Sequence, residues 1–416
     1  MDAVTIGDAE STFLADVGSP NASQLRVGDD ELNRSSSILG ETDDSTGERK
    51  RHNKYYLEDG DCTILVENTL FKIHRFLLAR DSSAFEGMFS MPTEVDGGEG
   101  RSDDKPIVLP GEKAAHFKTL LNILYALPAE LKQYETEFKH LNRLLMVAEM
   151  ANKYHFTSTT TWALSAARAV TGCDERLRVE PTTASNSKIR WCSPHALGRI
   201  IEVASLCGDD ELRDHATWYW KHLIKARWTH PLYAIDIAER LGLSDFVGVC
   251  YYRLLQECSN KLELVEGLGQ MRLDKPTAHH VTTTSQVLTS AHKARLLSGA
   301  FSLSNLWEDI RSTPPTLPNT DNCAYHAQSC TLSWDASWRG TTAMVHATSL
   351  RPFDVLGRMA AVRRSLEGDP GLHIGLTPGC RNAALESVRA LSSKVEEELA
   401  VHFVDLTKAG EVIASD

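Results

Sequence analysis

"GDCTILVENTLFKIHRFLLARDSSAFEGMF" (60–89) is the stretch on which the reading of this chain turns. Cys62, Ile64 and Val66 alternate with Thr63 and Leu65, "ENT" supplies a turn, and Leu70–Ile73 reads as a second strand. That alternation is the period of a half-buried β-hairpin. "HRFLLAR" then reads as a short helix, and Ser83 with Glu86 has the Ser-x-x-Glu spacing of a capping box. Behind it Phe85, Met88 and Phe89 fall at i, i+3 and i+4, one apolar helical face.

Outward from this stretch the two sides differ. Residues 1–48 carry eleven acidic side chains against Arg26 and Arg34 alone, which is most of the formal net charge of −12. Rich in Ser, Asp, Glu and Gly and without periodicity, residues 1–54 are read as a disordered acidic leader, because they bury too little apolar surface to offset chain entropy. "ERKRHNK" (48–54) is read as a solvated boundary, with a weak nuclear-import signal as the alternative. Downstream, "PTEVDGGEGRSDDKP" (92–106) is a polar glycine-rich loop and "PIVLP" a short third strand. "AAHFKTLLNILYAL" is an amphipathic helix, and Leu141, Leu144, Leu145, Ala148 and Ala151 make a further helical stripe.

The remainder reads as helical. Leu197, Ile200, Ile201 and Ala204 form one face; Leu212, Ala216, Tyr219 and Leu223 form the next. Helices follow at 232–241 and 245–257, the latter capped by Ser244. "DKPTAHHVTTTSQ" (274–286) is a linker, "STPPTLPNTDN" (312–322) a proline-rich break, and "AALESVRALSSKVEEELAVHF" the last strong helix. The aromatic run "WYWKHL" (218–223) is read as core. The nine scattered cysteines, several inside apolar helical patterns, look like reduced thiols and favour a cytoplasmic or nuclear location over secretion. No run of about 18 apolar residues occurs, so no membrane span is expected. Without a basic face, nucleic-acid binding is not expected.

Residues 58 to about 158 resemble a BTB/POZ domain, and the whole chain is similar to fungal proteins that place one ahead of a long helical tail. The resemblance is carried by the opening stretch, by "IVLPGEKAAHFKTLLNILYAL" and by "LLMVAEMANKYHF". It implies an α+β BTB/POZ domain, a small sheet capped by helices, over 55–160. A mainly α-helical region over 161–310, a Pro-rich linker over 311–322 and a helical C-terminal region over 323–416 would follow. It also implies protein–protein interaction rather than catalysis: a homodimer, a helical tail that binds a partner and, in some members, a substrate adaptor for a cullin-RING ubiquitin ligase. By the same resemblance Asp61, His74, Arg75 and Phe76 lie at the interface, Asp61 and Arg75 in a small charged pocket. Adaptor members carry a hydrophobic-x-Glu segment after the second helix; here it reads Pro92-Thr93-Glu94, with proline in the apolar place. A nuclear transcription-associated factor is the alternative function, although no DNA-binding module is visible.

His74 as a general base would need a nucleophile and an orienting acid. No Gly-x-Ser-x-Gly elbow surrounds any serine, so His74 is read as fixing a strand-to-helix junction and no enzyme is expected. One constellation has metal chemistry: "CAYHAQSC", Cys323-x2-His326-x3-Cys330. Two thiolates and an imidazole suit tetrahedral zinc, with Cys380 or His373 as the fourth ligand. The alternative is a pair of buried thiols beside Trp334.

Overall fold

The computed structural model describes residues 49–91, 98–172, 193–259, 288–319, 322–348 and 350–404. The leader up to residue 48, the Pro92-Thr93-Glu94 segment, Cys173, Cys192 and the 274–286 linker lie outside the described residues. The chain divides into two compact units, 1–170 and 171–416.

The first unit is built on the hairpin read from the sequence. Strands β2 (Cys62–Val66) and β3 (Thr69–Ile73) pair antiparallel with Ile64 opposite Phe71. The turn places Glu67 at φ 51, the left-handed region that a tight hairpin needs and a non-glycine residue seldom adopts. β4 (Ile107–Val108) adds parallel to β2, and β1 (Lys50–Tyr56) adds parallel to β3, giving the order β1-β3-β2-β4. Helices α1 (Arg75–Leu78), α2 (Ala84–Ser90), α3 (Ala114–Leu124), α4 (Pro128–Tyr134), α5 (Leu141–Lys153) and α6 (Thr157–Thr171) complete the unit. Phe71 meets Phe117 of α3 edge-on at 5.1 Å, and Ile64, Leu120, Leu121, Leu144, Leu145 and Ala148 are fully buried with them. Burying each of these side chains except that of Ala148 contributes about 1.5–3 kcal/mol before entropy is charged against it, and the Ala148 methyl about 0.8 kcal/mol.

Two features differ from the sequence reading. Residues 50–54, placed there in the leader, belong to β1. Only Tyr55 of that strand is buried, so the apolar alternation that marks a strand is missing. Polar bonds hold it instead. The Arg51 guanidinium donates twice to Asp103, at 3.0 and 2.7 Å, and the Tyr56 hydroxyl donates to the same carboxylate at 2.8 Å. The Tyr55 hydroxyl donates to Asn122 at 2.7 Å. Asp103 thereby pins the described part of the glycine-rich loop. The second difference is at Ser83. It is the N-cap residue of α2, but its buried hydroxyl donates back to the Leu78 carbonyl, and no side-chain capping bond forms.

The second unit is helical: α7 (Pro194–Cys207), α8 (Asp210–Lys225), α9 (Leu232–Arg240), α10 (Ser244–Ser259), α11 (Ser290–Ser312), α12 (Thr331–His346), α13 (Val355–Glu367), α14 (Pro370–Gly375) and α15 (Pro378–Glu397). The stripes on α7 and α8 are buried, Trp220 completely. Ser244 is the first residue of α10, one place inside the cap position expected of it. The proline-rich segment runs across this unit rather than away from it. The Pro315 carbonyl accepts from the Trp334 indole at 2.8 Å, the Thr316 carbonyl accepts from Ser387 at 2.9 Å, and Leu317 is buried. Asp354 ties the two halves: it caps α13 at Gly357 and accepts from Tyr252 (2.6 Å) and Gln256 (2.9 Å) of α10. Arg358 is buried, lies over the Trp307 ring at 5.0 Å and donates to the carbonyls of Arg351, Val345 and Leu350.

In β1 the His52 Nδ1 accepts the amides of Lys54 and Tyr55 at 3.1 and 3.0 Å, and the ring stacks on Phe71 at 4.8 Å. Burial first, then Lys118 and Lys54, hold its pKa below the ordinary 6.5. A depressed value means that the unfolded chain binds the extra proton, so this contribution is complete above pH 6.5 and is lost as pH falls through the folded value. Thermal melts of the whole chain should therefore show stability declining below about pH 6.5, and His52→Gln should make the decline shallower between about pH 7 and 5.

Glycine spacing allows a paired prediction. A Cβ on Gly248 in α10 would meet the Ala400 backbone nitrogen at 2.5 Å, whereas one on Gly340 in α12 would meet nothing within 4 Å. Urea unfolding should show Gly248→Ala destabilising by about 1–3 kcal/mol, because backbone cannot yield as a side chain does. Gly340→Ala should stabilise by about 0.5–1 kcal/mol through helix propensity alone.

Candidate functional site

Two places gather chemistry. The first is the corner where β2, β3 and α1 meet. Asp61, one residue before β2, is exposed, and its carboxylate accepts the backbone amide of Arg75 at 2.6 Å. Arg75 opens α1, and His74, in the N-cap place, makes no side-chain capping bond. Asp61 therefore supplies from fourteen residues away the acceptor that the first turn lacks. The Arg75 guanidinium lies over the Phe89 ring at 4.9 Å. Its charge tempers the Cys62 thiol, which burial pushes up to about 11.

Both nitrogens of the His74 ring have partners. Nδ1 lies 3.0 Å from the Tyr125 hydroxyl, which also accepts the His74 amide at 3.1 Å, and Nε2 lies 3.4 Å from the Asp59 carboxylate. The ring thereby fastens the end of β3 to the end of α3. Tyr125 and Asp59 were not singled out from sequence. Phe76 is 65 % exposed on α1, with its ring 5.8 Å from that of His74. The four residues implied by resemblance thus stand on one corner: a carboxylate, an imidazole, a guanidinium and an uncovered aromatic.

The second place is in the helical unit. His326–Cys330 forms a single wide π-turn before α12, closed by the Cys330 amide on the Tyr325 carbonyl at 3.2 Å. Cys323 and Cys330 bring their sulfurs to 4.0 Å. Cys380, third residue of α15, joins them, and the three sulfurs lie within 4.8 Å of one another. His326 Nδ1 is 3.4 Å from the Cys380 sulfur. Thr377, the N-cap residue of α15, sets its hydroxyl 3.5 Å from the Cys323 sulfur and thereby holds that thiol below its ordinary pKa. Burial raises the Cys380 thiol. His373, the other fourth ligand considered, instead meets Arg381. Trp334 is buried against Trp338 at 5.5 Å with its indole nitrogen on Pro315.

The first unit is thus a small mixed sheet carrying helices, with a polar corner at the entrance to α1. Residues 52–162 match the family model of the BTB/POZ domain, and that part of the chain is one. No curated protein matches the chain. Among the described residues, no helix is long and apolar enough to cross a membrane.

The Asp61–Arg75 bond predicts a distinct pair of variants. Asp61→Ala should cost about 1–2 kcal/mol in chemical unfolding of the whole chain, by orphaning the first amide of α1. Asp61→Asn keeps an acceptor oxygen and should retain most of that stability.

Proposed function

We propose that the BTB/POZ domain of this chain self-associates through the corner formed by Asp61, His74, Arg75 and Phe76, and that the helical unit recruits a protein partner. The observation that carries the reading is Phe76. A phenylalanine 65 % exposed, between an arginine and buried leucines of α1, leaves apolar surface that association would cover. Its neighbours, already fixed by Asp61, Tyr125 and Asp59, would meet a second copy without prior ordering, which lowers the entropic cost of binding.

The substrate-adaptor role for a cullin-RING ligase is the narrower form of this reading. It rests on family resemblance, and the segment that bears on it, Pro92-Thr93-Glu94, lies outside the described residues. Co-purification of a cullin with the intact chain decides that form.

Light scattering on the full chain should give twice the single-chain mass. Phe76→Glu, which puts a charge at the centre of the proposed contact, should shift the chain to the single mass while its thermal transition stays within a few degrees. A wild-type chain that keeps the single mass across a dilution series would remove self-association. A Phe76→Glu chain that remains dimeric would move the contact elsewhere.

A further inference from the structure

We propose that Cys323, Cys330 and Cys380, completed by His326, form a structural zinc centre that clasps the start of α15 to the turn preceding α12. The case begins with convergence. Cys323 and Cys330 come from one eight-residue segment, Cys380 from a helix fifty residues further along, and all three sulfurs lie within 4.8 Å of one another. Zinc bonded to sulfur at about 2.3 Å and to nitrogen at about 2.0 Å sets neighbouring tetrahedral donors roughly 3.5–3.8 Å apart. The observed 4.0 Å between Cys323 and Cys330, and 3.4 Å between His326 and Cys380, bracket that spacing. The widest sulfur pair, at up to 4.8 Å, closes by thiol rotation, and His326, which meets Cys380 but stands outside the three-sulfur group, completes the set by turning its ring. Three sulfurs and one imidazole are the donors of a closed structural site, with no position left for a substrate.

The backbone delivers these donors for reasons visible in the fold. The wide turn at His326–Cys330 lets residues seven apart face the same point. Gly375, at the end of α14, comes so near α12 that a Cβ there would lie 2.6 Å from the Ser333 hydroxyl. That approach seats the α14–α15 connection beside the turn and brings Cys380 with it. Cys380 is the third residue of α15, so the N-terminus of that helix fixes its position. A disulfide between Cys323 and Cys330 is the competing chemistry. It would require the sulfurs at about 2.0 Å, half the separation found.

The centre is tested on the full-length chain purified without chelator. Elemental analysis should find close to one zinc per chain. Cys330→Ser and Cys380→Ser should each lose most of it, and Cys207→Ser, a cysteine outside the cluster, should keep it. Exchange with cobalt should produce the thiolate charge-transfer band and the visible bands of a tetrahedral ion. His326→Cys should retain both metal and tetrahedral spectrum, while His326→Ala should release metal faster to a chelator. A folded wild-type chain that carries no zinc and gives no cobalt–thiolate band would overturn the proposal. Zinc that survives Cys380→Ser, or a Cys323–Cys330 disulfide found by mass spectrometry of the native chain, would do so equally. If the serine variants do not fold, the metal count and cobalt spectrum of the wild-type chain decide the question.

Discussion

The front domain depends on the β2–β3 hairpin, whose apolar side chains fill the core and which, with its continuation, carries three carboxylates that start helices. Asp61 accepts the first amide of α1, Glu67 in the hairpin turn accepts the Ala114 amide that opens α3 (2.9 Å), and Asp81 accepts the Ser158 amide and hydroxyl at the start of α6. A helix leaves its first amides without intrahelical acceptors, so each of these helices would otherwise need a local cap. His74 and Lys113 occupy the N-cap positions of α1 and α3, and neither makes a side-chain capping bond. One stretch of thirty residues thus specifies where three helices begin. It sets their directions relative to the sheet as well, since a carboxylate must lie on the axis of the amide it accepts. The strained backbone at Glu67, Asp81 and Ser82, all at positive φ, belongs to the same arrangement. Two of the three capping carboxylates sit where the chain takes a conformation that costs energy, and the caps offset that cost.

The corner proposed to bind a second chain inherits its rigidity from these bonds. Asp61 cannot reach the amide of Arg75 unless β2 and α1 hold their register, and His74 is fixed at both nitrogens and at its amide. Phe76 is then presented on a helix of one turn that has little freedom of its own. The helical unit solves a different problem by similar means. Residues 314–319 of its proline-rich segment form neither helix nor strand, and Trp334, Ser387 and the buried Leu317 hold them in place. Asp354 joins α10 to α13, so the helices before and after that segment share one core.

Much of this was legible from residue order. The hairpin, the short third strand and the stripes on α3, α5, α7 and α8 follow from periodicity, because apolar burial repeats at 2.0 or 3.6 residues and leaves its mark locally, while the family of the front domain was legible as a resemblance. The Cys-x2-His-x3-Cys grouping was visible because its members lie within eight residues. Strand β1 was not legible. Its side chains are mostly polar, and beside its backbone pairing with β3 it is held by an arginine, two tyrosines and the partners that Asp103 and Asn122 provide from elsewhere in the chain.

What only the tertiary structure decided has one physical source. A hydrogen bond or a thiol cluster depends on where atoms stand in space, and separations of 14, 47 and 77 residues leave no trace in a local pattern. Ser83 and Glu86 have the spacing of a capping box, yet the Ser83 hydroxyl turns inward to Leu78 and the capping is done from afar. Cys380 and His373 were equivalent as sequence, one in a proline-glycine turn and the other seven residues earlier. The close approach permitted by Gly375 brings Cys380 to Cys323 and Cys330, while His373 faces Arg381. The sequence by itself determined which residues could serve as strand, stripe, cap or ligand; the packing of helices on sheet and on one another decided which of them met.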